Sequence, residues 1–145
     1  MKIVILGCGR LGSRVALKLG EDEKNEIIVI DKNSDSFSLL GKDFKGKIFQ
    51  GDGANMETYN KIMNEKVDIF LALTNIDNTN IMAAEIAKQK YKVEKTIAKV
   101  DDPIRARAFE ELGIETICPT LLSEKKINKM IEKKKIKESE SDGDV

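Results

Sequence analysis

Lys2-Ile3-Val4-Ile5-Leu6-Gly7-Cys8-Gly9-Arg10-Leu11-Gly12 is the stretch whose reading decides the fold. An apolar run of strand length ends at Gly7. Glycines at 7, 9 and 12 then form G-x-G-x-x-G. Ser13 to Leu19 reads as a helix, with Leu11, Val15 and Leu19 expected on one face. Glycines between a strand and a helix suit a dinucleotide-binding turn. Gly7 permits the tight turn, Gly9 lets backbone approach a pyrophosphate, and Gly12 lets the helix pack closely on the strand. The helix N-terminus adds free N–H groups and partial positive charge. A second signal follows. Glu26 to Ile30 is another apolar strand, and it ends in Asp31, 19 residues after Gly12. An acid at roughly this offset, about 20 residues, binds the adenosine ribose hydroxyls.

The chain has 145 residues, enough for one sizeable core. Charged residues are 34% and the net charge is zero, so no global field steers it to nucleic acid or anionic membrane. No apolar run approaches the ~20 residues of a membrane-spanning helix. Met1 opens directly into the first strand, and no signal peptide is expected. Cys8 and Cys118 form no C-x-x-C pair, and a disulfide at Cys8 would disturb the glycine turn; a reducing cytosol is expected. Histidine is absent, which removes Ser-His-Asp catalysis, histidine metal ligands and the usual general base near neutral pH.

Along the chain, Ser34–Leu40 reads as a short helix or turn and Lys47–Gln50 as a third strand closed by Gly51-Asp52-Gly53. Met56–Met63 is helical, and Val67–Leu73 is a fourth strand, apolar enough to be buried on both faces. Thr74–Asn80 reads as a polar loop before an Ala-rich helix from Ile81 to Lys90. Lys95–Val100 is a fifth strand. Asp102 caps a helix with Pro103 in its first position, and Gly113 ends it. Glu115–Cys118 is a sixth strand, and a last helix runs from about Leu121 to Ile136. Strands alternating with helices specify an α/β fold with a doubly wound parallel sheet of six strands, expected order 3-2-1-4-5-6. Ligands then bind at the carboxyl edge, beside the switch point between strands one and four.

That edge collects the candidate site. Asp52 after Gly51 can accept from an adenine amino group. Leu73, Thr74 and Asn75 end strand four, where polar groups can face the second half of a dinucleotide. Lys32 beside Asp31 partly offsets that acid's repulsion of a ribose phosphate. Lys99 ends strand five and can reach a phosphate. Arg10 begins a helix, where the dipole disfavours a cation unless an anion is near. Asp101-Asp102 reads as capping rather than paired catalytic acids. Tyr91-x-x-x-Lys95 has a dehydrogenase spacing but falls on the opposite edge.

Together, Gly7-Cys8-Gly9-Arg10-Leu11-Gly12, Asp31, Gly51-Asp52, Leu73-Thr74-Asn75 and Ala98-Lys99 resemble the nucleotide-binding domain of Trk/Ktr potassium-uptake regulators. These are the TrkA-type, KTN or RCK N-terminal domains. The resemblance covers residues 1 to about 135. It implies a Rossmann-like domain over 1–120 with a C-terminal crossover helix over 121–136. It implies a non-enzymatic regulatory subunit that binds NAD(H), or in some members ATP/ADP. Its implied partners are its own copy, as a homodimer or higher ring, and an integral membrane potassium transporter subunit, with no nucleic acid. Its implied place is cytoplasmic, peripheral to the membrane through that partner. By carry-over, Gly7, Cys8, Gly9, Arg10, Leu11 and Gly12 hold the phosphates, with Arg10 expected to reach a ligand across a subunit interface; Asp31, beside Lys32, holds the ribose, and Asp52 after Gly51 lies near adenine. Leu73, Thr74, Asn75 and Lys99 lie at the far end, where arginine is the more usual residue in place of Lys99. Many relatives carry a second C-terminal ligand-binding subdomain.

The competing expectation is a small NAD-dependent oxidoreductase, which needs a substrate domain or a positioned acid/base set. In the last helix, residues 124–137 hold seven lysines around Ile127, Met130 and Ile131. With the sheet expected to be covered by earlier helices and Leu121 and Leu122 completing the core, this stripe is left for a second copy. Residues 137–145 are expected to be a disordered polar tail.

Overall fold

The computed structural model describes residues 1–143. Five helices, one 3-10 helix and six strands alternate along them. In order they are β1 (Lys2–Leu6), α1 (Arg10–Leu19), β2 (Glu26–Asp31), the 3-10 helix Ser34–Leu40, β3 (Lys47–Gln50) and α2 (Met56–Ile62). β4 (Ile69–Ala72), α3 (Asp77–Gln89), β5 (Lys95–Lys99), α4 (Pro103–Glu111), β6 (Glu115–Ile117) and α5 (Pro119–Gly143) follow. All five strand pairings are parallel, in the order β3-β2-β1-β4-β5-β6. β1 is central, with Leu6 opposite both Ile30 and Ala72. The expected α/β topology and strand order are therefore those observed.

The core has two layers because side chains alternate across each strand. Val4, Leu6, Ile28, Ile30, Phe70, Ala72, Ala98 and Val100 face α2, α3 and α4. Ile3, Ile5, Ile27, Val29, Leu71 and Leu73 face the other way, toward α1 and the 3-10 helix. Those two elements sit mainly over β1 and β2, since the chain reverses direction across the sheet after β3 and right-handed crossovers put the later helices on the opposite face. Ile69, Ile97 and Ile117, on β4, β5 and β6, are consequently only partly buried. The expectation of a fully covered sheet is corrected here: half of one face lacks a helix among the described residues.

Three helices differ from their expected bounds. α1 starts at Arg10, within the glycine turn, and its buried residues are Gly12, Ser13 and Ala16, while Leu11 is 36% exposed. A Cβ on Gly12 would lie 1.9 Å from the Gly7 carbonyl oxygen, so the helix backbone itself touches the turn and rotates Leu11 outward. α3 starts at Asp77, one turn before the apolar pattern begins. α5 runs on to Gly143, replacing the disordered tail expected from 137; residues 144 and 145 lie outside the described residues. No glycine or proline interrupts this stretch before Gly143, and the Lys134–Glu138 pair, 3.9 Å apart, has the helix-favouring i,i+4 spacing. Leu121 packs on the core, but Leu122 is 53% exposed and does not complete it.

Candidate functional site

The carboxyl ends of β1, β2, β3 and β4 surround a crevice of about 360 Å³, within the range of small-molecule sites, roughly 300–1,000 Å³. Of the predicted residues it is lined by Gly7, Gly9, Asp31, Lys32, Gly51, Asp52, Leu73, Thr74 and Asn75. A larger cavity of about 560 Å³ lies at the opposite sheet edge, around Leu17, Ile27 and Phe44. It has no helix N-terminus or glycine turn, and Lys45 and Lys47 there are already paired with Glu23 and Glu26. The glycine turn therefore singles out the smaller crevice as the candidate site.

The glycine turn is built by close packing. Gly7 has φ +105, and a Cβ on it would meet the Leu73–Thr74 peptide at 2.8–2.9 Å. Gly9 is the opposite case: nothing lies within 4 Å of its Cβ position. Room is thus left beside the backbone at the glycine facing the crevice. The first turn of α1 has no side-chain cap, and neither does that of α3, whose N-cap Ile76 also lines the crevice. By contrast Asn33, Asn55 and Asp102 cap the 3-10 helix, α2 and α4 with their side chains. Uncapped N–H groups are the anion-seeking part of a helix.

Asp31 is locked in place. One carboxylate oxygen accepts the Cys8 N–H at 2.7 Å and the other the Asn33 N–H at 2.8 Å. The remaining lone pairs are those a ribose would use. Asp52 lies across the crevice, with Lys32 Nζ 3.8 Å from it. The loop carrying Asp52 is pinned from behind. The Thr58 hydroxyl donates to the Asp52 carbonyl at 2.9 Å, and the Tyr59 hydroxyl donates to the Gly53 carbonyl. Burial, then the Asp52 charge, push the Tyr59 phenol up. Burial and the Asp31 charge push the Cys8 thiol up to about 11. Neither group exchanges protons near neutral pH.

Cys8, Arg10, Leu11, Gly12 and Lys99 do not line the crevice. Cys8 is fully buried, its thiol against the Ser36 carbonyl at 3.4 Å. Gly12 lies behind the turn, and Arg10 and Leu11 are exposed on α1, Arg10 with no ion-pair partner among the described residues. Lys99 shares a sheet face with Ile97 and lies 3.8 Å from Asp101, which turns it from the crevice. Tyr91 donates to Asn60 while Lys95 pairs with Glu115, so their dehydrogenase-like spacing brings them to no common site. Asn33, Ser36, Ile76 and Thr79 also line the crevice and were not expected there. Their signal was position: each follows the carboxyl end of a strand by a few residues.

A family model described as TrkA-N domain matches residues 3–120. Trk system potassium uptake protein TrkA of Streptomyces coelicolor is 39% identical over 118 residues, 81% of this chain and 52% of that protein. The TrkA homolog of Pyrococcus abyssi is 31% identical over 112 residues, 77% of this chain and 49% of that protein. The chain thus spans about half the length of these two relatives. Among solved structures, the TrkA-N domain of an inner membrane protein from Escherichia coli has a TM-score of 0.74 at 16% identity, covering 89% of this chain and 95% of that one. The AMP-bound Kef CTD of Shewanella denitrificans has a TM-score of 0.72 at 20% identity, covering 94% and 81%. At these identities the two structures speak to fold alone.

Proposed function

Because the chain belongs to the TrkA-N domain family, we propose that it is the nucleotide-sensing regulatory unit of a potassium uptake system. NAD(H) is its ligand in this reading, with ADP or ATP as the alternative. The observation that carries it is the convergence of the glycine turn, Asp31, Asp52 and Thr74-Asn75 on one crevice at the switch point. The adenosine ribose would be held by Asp31 and the adenine end by Gly51 and Asp52. The pyrophosphate would be held by Gly7 and Gly9 with the first turn of α1. Leu73, Thr74 and Asn75 would take the second nucleoside. Arg10, free on the surface, is available to a phosphate or to a neighbouring copy.

Bound NAD(H) supplies hydride chemistry in an enzyme, but this chain is proposed to perform none. The raised Cys8 and Tyr59 groups support that reading, since both are held protonated and internally bonded. The ligand then acts by being present or absent. Residues 1–120 would form the nucleotide-binding unit and α5 the interaction element.

We further propose a homodimer, able to extend to a ring, that sits in the cytoplasm against an integral membrane transporter subunit. Two unpartnered apolar surfaces support a second copy as the occupant. One is the bare half-sheet at Ile69, Ile97 and Ile117; the other is the exposed stripe Ile127, Met130 and Ile131 on α5. α5 leaves the domain after its first turn, with Leu122 to Ser141 all exposed, so the two surfaces stay apart in one chain. No described helix is long and apolar enough to cross a membrane. Native mass spectrometry of the purified chain tests ligand and assembly together. A dimer retaining about one dinucleotide per copy is expected; a bare monomer at micromolar concentration with added NADH would overturn the proposal.

A further inference from the structure

We propose that Asn80 is the positioning residue for the far end of the crevice, and that it makes the site favour a dinucleotide over a mononucleotide. The inference rests on the reading above, with adenosine at Asp31. Asn80 ends the first turn of α3 and is wholly buried. Its Oδ1 accepts from the Thr74 N–H at 2.9 Å and from the Thr74 hydroxyl at 2.6 Å. Its Nδ2 donates to the Thr74 carbonyl at 2.9 Å and to the Lys99 carbonyl at 2.8 Å. An amide has two acceptor lone pairs and two donor protons, and all four are used.

The place of these bonds gives them their meaning. The ladder between β4 and β5 ends at the Ala72–Ala98 pair. Beyond it the two chains part, on the far side of β4 from the switch point. The Asn80 side chain stands in for a peptide unit there, bridging Thr74 to Lys99 after direct pairing has stopped. Thr74 is thereby fixed from two sides, by Asn80 and by the Gly7 backbone packed on the Leu73–Thr74 peptide. Ile76 and Thr79, on the same turn of chain, also line the crevice. The adenosine end uses none of this. Asp31 is held by Cys8 and Asn33, and the Asp52 loop by Thr58 and Tyr59. Asn80 therefore controls one half of the crevice. Neither of its near-isosteres can replace it: leucine would orphan the half-buried Thr74 N–H, and a carboxylate would face two carbonyl oxygens.

Calorimetric titration of the full chain with NADH and with AMP separates positioning from a general structural role. Asn80→Ala should weaken NADH roughly tenfold or more, the scale of one lost hydrogen bond of positioning. AMP affinity should change less than about twofold, as expected for independent sites. Hydrogen exchange at the Thr74 amide should accelerate in the same variant. Asn80→Asp, of equal size, provides the comparison should the alanine variant not fold, with the same selective loss expected. Equal loss of both ligands, or no loss of NADH, would overturn the inference while leaving the crevice intact as a nucleotide site. Wild-type protein binding neither ligand would overturn the functional reading itself.

Discussion

Gly9 and Gly12 stand in one motif yet answer to different forces. An alanine Cβ at 12 would overlap the Gly7 carbonyl oxygen, backbone against backbone. Gly12→Ala is expected to destabilise the fold by about 3 kcal/mol or more, as severe overpacking does. Gly9 has negative φ and open space, so Gly9→Ala should shift stability by less than about 1 kcal/mol. It should nevertheless weaken NADH at least tenfold, since the new methyl occupies crevice space. Thermal melts beside ligand titrations check both; a stable Gly12→Ala protein would refute the packing argument. Cys8 gives a pH signature. Its thiol, ordinarily near 9.0, is held at about 11 in the folded chain. Between those values the unfolded chain has released the proton and the folded chain keeps it. The stability tied to the neutral thiol is therefore complete below pH 9 and lost as pH rises toward 11. The expected loss is on the order of 1–3 kcal/mol. Urea unfolding at pH ~8.5 and ~10.5 should show a smaller fall for Cys8→Ala than for wild type; equal falls would refute it. Asp31 and the glycines were legible because their chemistry is local. Asn80, Thr58 and Tyr59 were not, because each matters through a partner brought to it by folding.

Among the elements, strands were read closely and helix ends less well. β1, β2 and β3 match their expected bounds, since buried parallel strands are nearly pure apolar runs. α1 and α3 each start a turn early because those first turns carry Arg10, Gly12, Asn78 and Thr79 instead of an apolar stripe. α5 was legible as a helix but not in length, for its outer part packs on nothing. Its exposed stripe makes a specific prediction. Burying Ile127, Met130 and Ile131 is worth roughly 1.5–3 kcal/mol each, against an association cost of about 4–15 kcal/mol. Six such side chains across two copies can hold a dimer. Ile127→Asp with Ile131→Asp should give a folded monomer that still binds nucleotide. Sedimentation checks this: a variant that remains dimeric would move the interface elsewhere. Amides in the outer turns of α5 should also exchange faster in that variant, since an isolated helix of this kind is marginal.

For the whole molecule, topology was legible and coverage was not. Strand order follows from alternating elements and right-handed crossovers, both visible in residue patterns. The half-bare sheet face depends on where the crossovers land, and Ile69, Ile97 and Ile117 read like any buried strand residues until the helices are laid over them. The ends of that sheet have a further consequence. Its edge strands are short, β3 with four residues and β6 with three, and each begins with a charged residue, Lys47 and Glu115. Edges so brief and so charged offer little template for strand-by-strand growth into fibres. In the proposed dimer, copies of this chain would meet face to face. An exchange in which each helix covers the other's sheet is self-complementary, so it saturates at a pair, and concentration alone drives no open-ended polymer through that contact.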